Sequence, residues 1–176
     1  QRDGMEDWLL FVSAGHELEP HALLMLADAI NLHPQWQAAY ADDASKAGIP
    51  RAKPDFDPVL LAGCNYLGPL AFMAPAFCAL AADLPLSAGL PLALAWQIVE
   101  NCGEQSIGHV SDFIFVAPDL CNIDDAAITR ACVDAYFRSR DKTVRQIDGP
   151  TRDTNWNLAE NPPLPPITLV SIGTPP

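Results

Sequence analysis

Residues 8–12, Trp-Leu-Leu-Phe-Val, are an unbroken apolar run that gives way at once to Ser13-Ala14-Gly15-His16 and then, after three more residues, to Pro20. A run so short, cut off by small and polar residues, fits a buried β-strand better than a helix. Pro20 suits a first helical position, where the missing N–H has no partner to lose. Beyond it Leu23, Leu26, Ala27 and Ile30 recur at helical spacing and give one apolar stripe, until His33-Pro34 pushes the chain out of the α region. Strand, loop and helix in that order point to an α/β sheet, whose ligands bind beyond the carboxyl ends of the strands. The loop 13–16 is therefore the first candidate border of a site.

Further along, residues 36–40 read as a short strand ending at the acidic pair Asp42 and Asp43. Two carboxylates at a strand end suit a metal or a hydroxyl; equally, Asp at a turn bonds its own backbone. Residues 44–58 read as a turn-rich loop in which prolines flank Asp55, Phe56 and Asp57 and hold Lys53 on a stiff segment. A strand is expected over 70–73, helices over 75–82 and 91–101, and a strand with an edge loop over 107–116. In the second helix Leu92, Trp96 and Val99 share a side and Gly103 is the stop. Asp124 and Asp125 offer an N-cap to a helix reaching about residue 139, with Ile128, Ala131, Cys132 and Ala135 as its stripe. After Lys142 the composition shifts: Asp148-Gly149-Pro150 is a turn, 161–166 is a polyproline linker, and 167–172 is a lone β-branched strand. That gives one domain over 1–141, a linker over 142–166 and the opening strand of a second domain from 167.

Composition narrows the function. Ten basic against 22 acidic residues, a net charge of −12, disfavour nucleic acid and anionic lipid as partners. The five cysteines include no C-x-x-C pair and read as reduced thiols of a cytoplasmic protein. No signal peptide is legible, and the apolar run over 70–82 is broken by Pro75 and falls short of the roughly 20 residues of a bilayer span. Between Asp57 and Glu100 the only charge is Asp83, which marks either a covered core lobe or a hydrophobic docking face. His16, Glu17 and His21 imitate a zinc-protease helix, but the histidines are one residue too far apart and Pro20 interrupts them.

The order of these pieces resembles the family-2 glycosyltransferases of the GT-A fold, in particular the tandem-domain bacterial enzymes of surface-polysaccharide synthesis. The residues that carry the likeness are the run from Trp8 to Leu18, His33-Pro34, Tyr40-Ala41-Asp42-Asp43, Lys53-Pro54-Asp55-Phe56-Asp57-Pro58 with Leu60-Leu61, Asn65-Tyr66-Leu67-Gly68 and Ile107-Gly108-His109-Val110. The resemblance spans about residues 4–140 and implies a partial Rossmann-like mixed sheet flanked by helices, with the family's nucleotide-binding first half lying before residue 1 and an extended Pro-rich tail behind.

Against that family the departures are chemical. The resemblance implies an Asp-x-Asp holding a divalent cation that balances the leaving diphosphate, but Ser13-Ala14-Gly15 stands in its place, and hard cations want oxygen donors. It implies a carboxylate base at the start of the helix before Ile107, where Ala93 is the counterpart, and an Arg where Gln97 stands; Val116-Ala117-Pro118 replaces a His-Trp-Arg. The expectation is thus a glycosyltransferase-like domain of a polysaccharide-assembly protein, catalytically inactive on its own, with no catalytic residue, metal or cofactor assigned. The alternatives are an active inverting nucleotide-sugar transferase completed by residues before residue 1, with Asp42 or Asp43 as metal ligand, and a non-enzymatic scaffold. Candidate binding residues are Asp42, Asp43, Lys53, Asn65 and Tyr66. Lys53 is expected to meet an anion or hydroxyls, Tyr66 to stack on a sugar ring, and His109 to bond backbone. Partners would be a nucleotide sugar or glycan acceptor and another domain of the same polypeptide, with self-association left open.

Overall fold

The computed structural model describes residues 7–82, 84, 89–118, 124–138, 144–148 and 155–159, with side chains omitted for 124–126 and the last two segments. In chain order the elements are β1 (Trp8–Phe11), β2 (Glu17–Leu18), α1 (Ala22–Leu32), β3 (Ala38–Ser45), β4 (Pro50–Arg51), α2 (Pro58–Gly63), β5 (Leu70–Met73), α3 (Ala74–Leu80), α4 (Leu90–Cys102), a 3₁₀ turn (Glu104–Ser106), β6 (Ile107–Ala117), α5 (Asp124–Arg138), β7 (Val144–Asp148) and β8 (Asn155–Ala159). A mixed sheet runs in the order β1-β5-β3-β6-β2, with β4 paired to the far end of β3. β3 and β6 are parallel, β5 is antiparallel to both β1 and β3, and so β1, β3 and β6 all end on one side.

β3 is buried on both faces, which explains its string of small residues. Alternation along the strand sends Ala38 and Tyr40 into one core, with Leu70, Phe72 and the α4 side chains Leu92, Leu94 and Ile98. It sends Ala39 and Ala41 into the other, with Ala71, Leu26, Ile114 and Phe115. On that second side Trp36 lies so close to β6 that a Cβ at Gly108 would fall 2.0 Å from its ring, so no other residue fits there. The nearly uncharged stretch 58–99 supplies most of the first core, which is the covered-lobe reading. Each of its fully buried Leu, Ile and Phe side chains contributes about 1.5–3 kcal/mol. Among the described residues no helix is long and apolar enough to cross a membrane.

Several sequence expectations need correction. β1 is an edge strand among the described residues, with Leu9 38% exposed, rather than a buried one. Helix α1 begins at Ala22 after His21, not at Pro20, and it buries Ala22 and Leu26 while Leu23 is 63% exposed. The strand expected over 36–40 runs to Ser45, so Asp42 and Asp43 lie within it, and residues 50–51 of the expected loop are a strand. β6 sits inside the sheet, capped at its end by β2, instead of fraying into an edge loop. In α5 the buried positions are Thr129 and Val133, with Ala131 and Ala135 exposed, because packing against α4 rather than the apolar count sets the helix's rotation. The hairpin β7–β8 was not anticipated; Asp148 closes β7, while Gly149-Pro150, the proline segment 161–166 and the strand expected over 167–172 lie outside the described residues.

Candidate functional site

A cleft of about 390 Å³ opens where β1, β3 and β6 end. Its rim is the loop after β1, with Ser13, Ala14 and His16. Gly15 turns there at φ +94° and its Cα hydrogens face Pro118, which follows β6. The floor is built by β3, β4 and the segment behind them. Near Asp42 the β3–β6 register slips, Ala41 facing Val110 but Asp42 facing Phe113, the mark of a bulge in β6. At that irregularity two successive carboxylates, which plain alternation would send to opposite faces, both reach Lys53: Asp42 accepts its backbone N–H at 2.7 Å and Asp43 pairs its ammonium at 2.8 Å.

Lys53 is held on several sides. Its Nζ also donates to the carbonyls of Ala41 at 2.6 Å and Leu67 at 3.0 Å, so all three ammonium protons are used. Burial lowers its pKa, and Asp43 works against that shift. Gly68, at φ +68°, lies beside it, and a Cβ there would come within 3.0 Å of Nζ. The expectation that Lys53 would offer its charge to a ligand is corrected by this geometry: the ammonium is spent on the protein. The cation with donors to spare is Arg51, whose Nε bonds Asp43 Oδ1 while the side chain stays about half exposed on the cleft.

The other expected residues divide in the same way. Asn65 and Tyr66 line the cleft beside Asp43. Asn65 Oδ1 accepts from Leu67 N at 3.4 Å, and the Tyr66 hydroxyl accepts from Asp57 N at 2.8 Å, where Asp57 also caps α2. Tyr66 stands edge-on to Tyr40, whose hydroxyl donates to Pro54 O at 2.6 Å, and burial raises the pKa of both phenols. Asp42 does not line the cleft. It lies underneath, buried, 2.9 Å from His109 Nε2, while His109 Nδ1 is 3.2 Å from Asp55 and the ring stacks on Tyr40. His109 thus meets carboxylates, not the backbone expected of it.

Arg51 is not singled out by the sequence reading, which gives His109 only a backbone bond. Arg51 had a signal: Ser45-Lys46-Ala47-Gly48-Ile49 is a tight connection, with Gly48 at φ +77° and Gly48 N bonded to Ser45 O at 2.8 Å, and it sets Asp43 opposite Arg51. For His109 the partners lie 67 and 54 residues away, and no local pattern reveals them.

The cation that the family resemblance implies does not fit these residues. Ser13 brings a single hydroxyl, His16 has Nδ1 turned to Ser13 O at 3.2 Å, and both oxygens of Asp43 are engaged by Arg51 and Lys53. A hard ion takes several oxygen donors, and among the described residues the cleft presents no carboxylate oxygen that is free. The start of α4 presents Pro91 and Leu92 to the cleft, so no carboxylate stands there as a base.

No protein-family model and no curated protein sequence matches the chain. Among solved structures it is similar to a mycobacterial protein, at 14% identity and a TM-score of 0.53, over 89% of this chain and 56% of that one. It is also similar to mannosyl-3-phosphoglycerate synthase from Rubrobacter xylanophilus, at 10% identity and a TM-score of 0.52, over 88% of this chain and 57% of that one. The chain spans little more than half the length of these structures, and the likeness is one of fold: a glycosyltransferase-like mixed sheet flanked by helices.

Proposed function

We propose, with the glycosyltransferase-like fold as premise, that this chain is a sugar-ligand-binding domain of a cytoplasmic, bacterial polysaccharide or cell-surface glycan assembly protein, and that it does not transfer a sugar by itself. The observation that carries this reading is the state of the carboxylates. Asp43, the one acid lining the cleft among the described residues, is held by two cations, and Asp42 is buried beneath against His109 and Lys53. The base that the resemblance implies is a carboxylate within reach of the acceptor hydroxyl, and a bridging metal takes several oxygen donors; among the described residues the cleft offers neither. Tyr66, Pro54 and Pro118 meanwhile give the cleft apolar walls, and Asn65 gives it an amide, the mixture that suits a sugar ring. Another domain of the same polypeptide is the natural partner.

Calorimetry and a coupled nucleotide-release assay test this together. The expected result is saturable sugar binding with no release of nucleotide from any nucleotide sugar, with or without manganese. Turnover by the purified chain would overturn it. A second reading, an active transferase completed by further polypeptide, is favoured by the chain's covering only 56–57% of its structural neighbours. It requires activity in a longer polypeptide that is lost in Asp42→Ala and kept in Ser13→Ala.

A further inference from the structure

We infer that the cleft selects a sugar carrying an oxyanion, a phosphate ester or a carboxylate, and that Arg51 rather than a divalent cation balances its charge. This rests on the sugar-binding reading and names the ligand's chemical class. The protein as a whole carries a net charge of −12, yet among the described residues the cleft is lined by Arg51 and Lys53 against the single carboxylate of Asp43. Lys53 is locked from below, so its charge offsets Asp43 without being offered to a ligand. Among the described lining residues that leaves the charge of Arg51 in excess.

The guanidinium is also correctly dressed for the task. It has five N–H donors in a rigid fork, and only Nε is committed, to Asp43 Oδ1. The two terminal nitrogens have no protein partner among the described residues, and the fork they form matches two oxygens of a phosphate or carboxylate. Asp43 fixes the orientation of the fork in advance, which reduces the ordering cost of binding. With about 390 Å³ the cleft is at the small end of the roughly 300–1,000 Å³ of ligand pockets, which suits a single sugar ring with its anion against Tyr66.

The test is titration calorimetry of the full chain in EDTA with glucose 1-phosphate, glucuronate, glucose and inorganic phosphate. One or both anionic sugars are expected to bind at least tenfold more tightly than glucose, and the choice between them identifies the oxyanion. Arg51→Gln should abolish that preference, and Arg51→Lys, which keeps the charge and loses the fork, should restore only part of it; circular dichroism verifies that both variants fold. Equal binding of glucose and the anionic sugars, a preference that survives in Arg51→Gln, or binding that appears only when manganese replaces EDTA would each overturn the inference while leaving the sugar-binding reading intact. Arg51-dependent binding of inorganic phosphate with no sugar bound would support the anion site and remove the sugar-binding reading. Binding of none of the four overturns both.

Discussion

Replacing Lys53 by Met keeps the length of the side chain and removes its three protons. The side chain is 8% exposed, and its ammonium bonds two carbonyls at 2.6 and 3.0 Å and pairs with Asp43 at 2.8 Å. Removing one partner of a buried ion pair costs about 3–5 kcal/mol, and here Asp43 keeps Arg51, so the lower end applies: about 3 kcal/mol. Against a total stability of about 5–15 kcal/mol that is a large loss. At about 2–4 °C per kcal/mol for a domain of this size it lowers Tm by roughly 6–12 °C. The control is Arg51→Met, which breaks the other ion pair of the same carboxylate where the side chain is 46% exposed. Solvent screening limits its effect to below about 1 kcal/mol. Urea unfolding followed by tryptophan fluorescence measures both. A loss under about 1 kcal/mol in Lys53→Met, or a loss in Arg51→Met as large as in Lys53→Met, refutes the assignment of Lys53 as the structural cation of the floor.

Two further perturbations probe the sheet and the phenols. Gly108→Ala places a Cβ 2.0 Å from the Trp36 ring, so the indole must leave its seat; a loss of more than about 4 kcal/mol and a red-shifted emission are expected, and a variant of native stability would contradict the packing. For Tyr40, burial raises the phenol above its ordinary 10.0, so the folded chain keeps a proton that the unfolded chain releases. Its stabilisation is complete below pH 10 and is lost as pH rises through the raised value, with a slope of up to about 1.4 kcal/mol per pH unit. The lowered pKa of Lys53 gives the opposite slope, which ends near the ordinary 10.5. Urea midpoints taken above that pH should therefore fall less steeply in Tyr40→Phe than in the parent chain, and equal slopes would contradict the assignment.

What could be read from the sequence was whatever is written locally. β5 was placed at its observed ends, Leu70–Met73, and α4 within one residue at each end, because Pro91 and Gly103 punctuate it. β3 was cut short because carboxylates in a strand look like a strand's end; only the bulge opposite Asp42 and the cations at 51 and 53 make them tolerable there. The segment lining the cleft was legible as a set of residues, since Asp43, Lys53, Asn65 and Tyr66 do come together. Their division of labour was not. Whether a lysine faces ligand or protein depends on carbonyls at 41 and 67 that only the tertiary fold brings to it. The rotation of α5 failed for the same reason: neighbouring helices, not hydropathy, choose which side of it is buried.

The pairing of β3 with β6 also bears on how the chain reaches this state. Ala38 lies beside Ile107, and β1 lies beside β5 with five elements between them, so apart from the short β3–β4 hairpin the ladders at the centre of the sheet join segments far apart in the chain. Loop-closure entropy must be met before those ladders begin to repay it, which slows folding in proteins dominated by distant contacts. While β6 is still unplaced, β3 exposes an unpaired strand edge, apolar from Ala38 to Ala41, to other chains, so recovery of soluble protein should depend more on concentration during refolding than on the final stability of the fold.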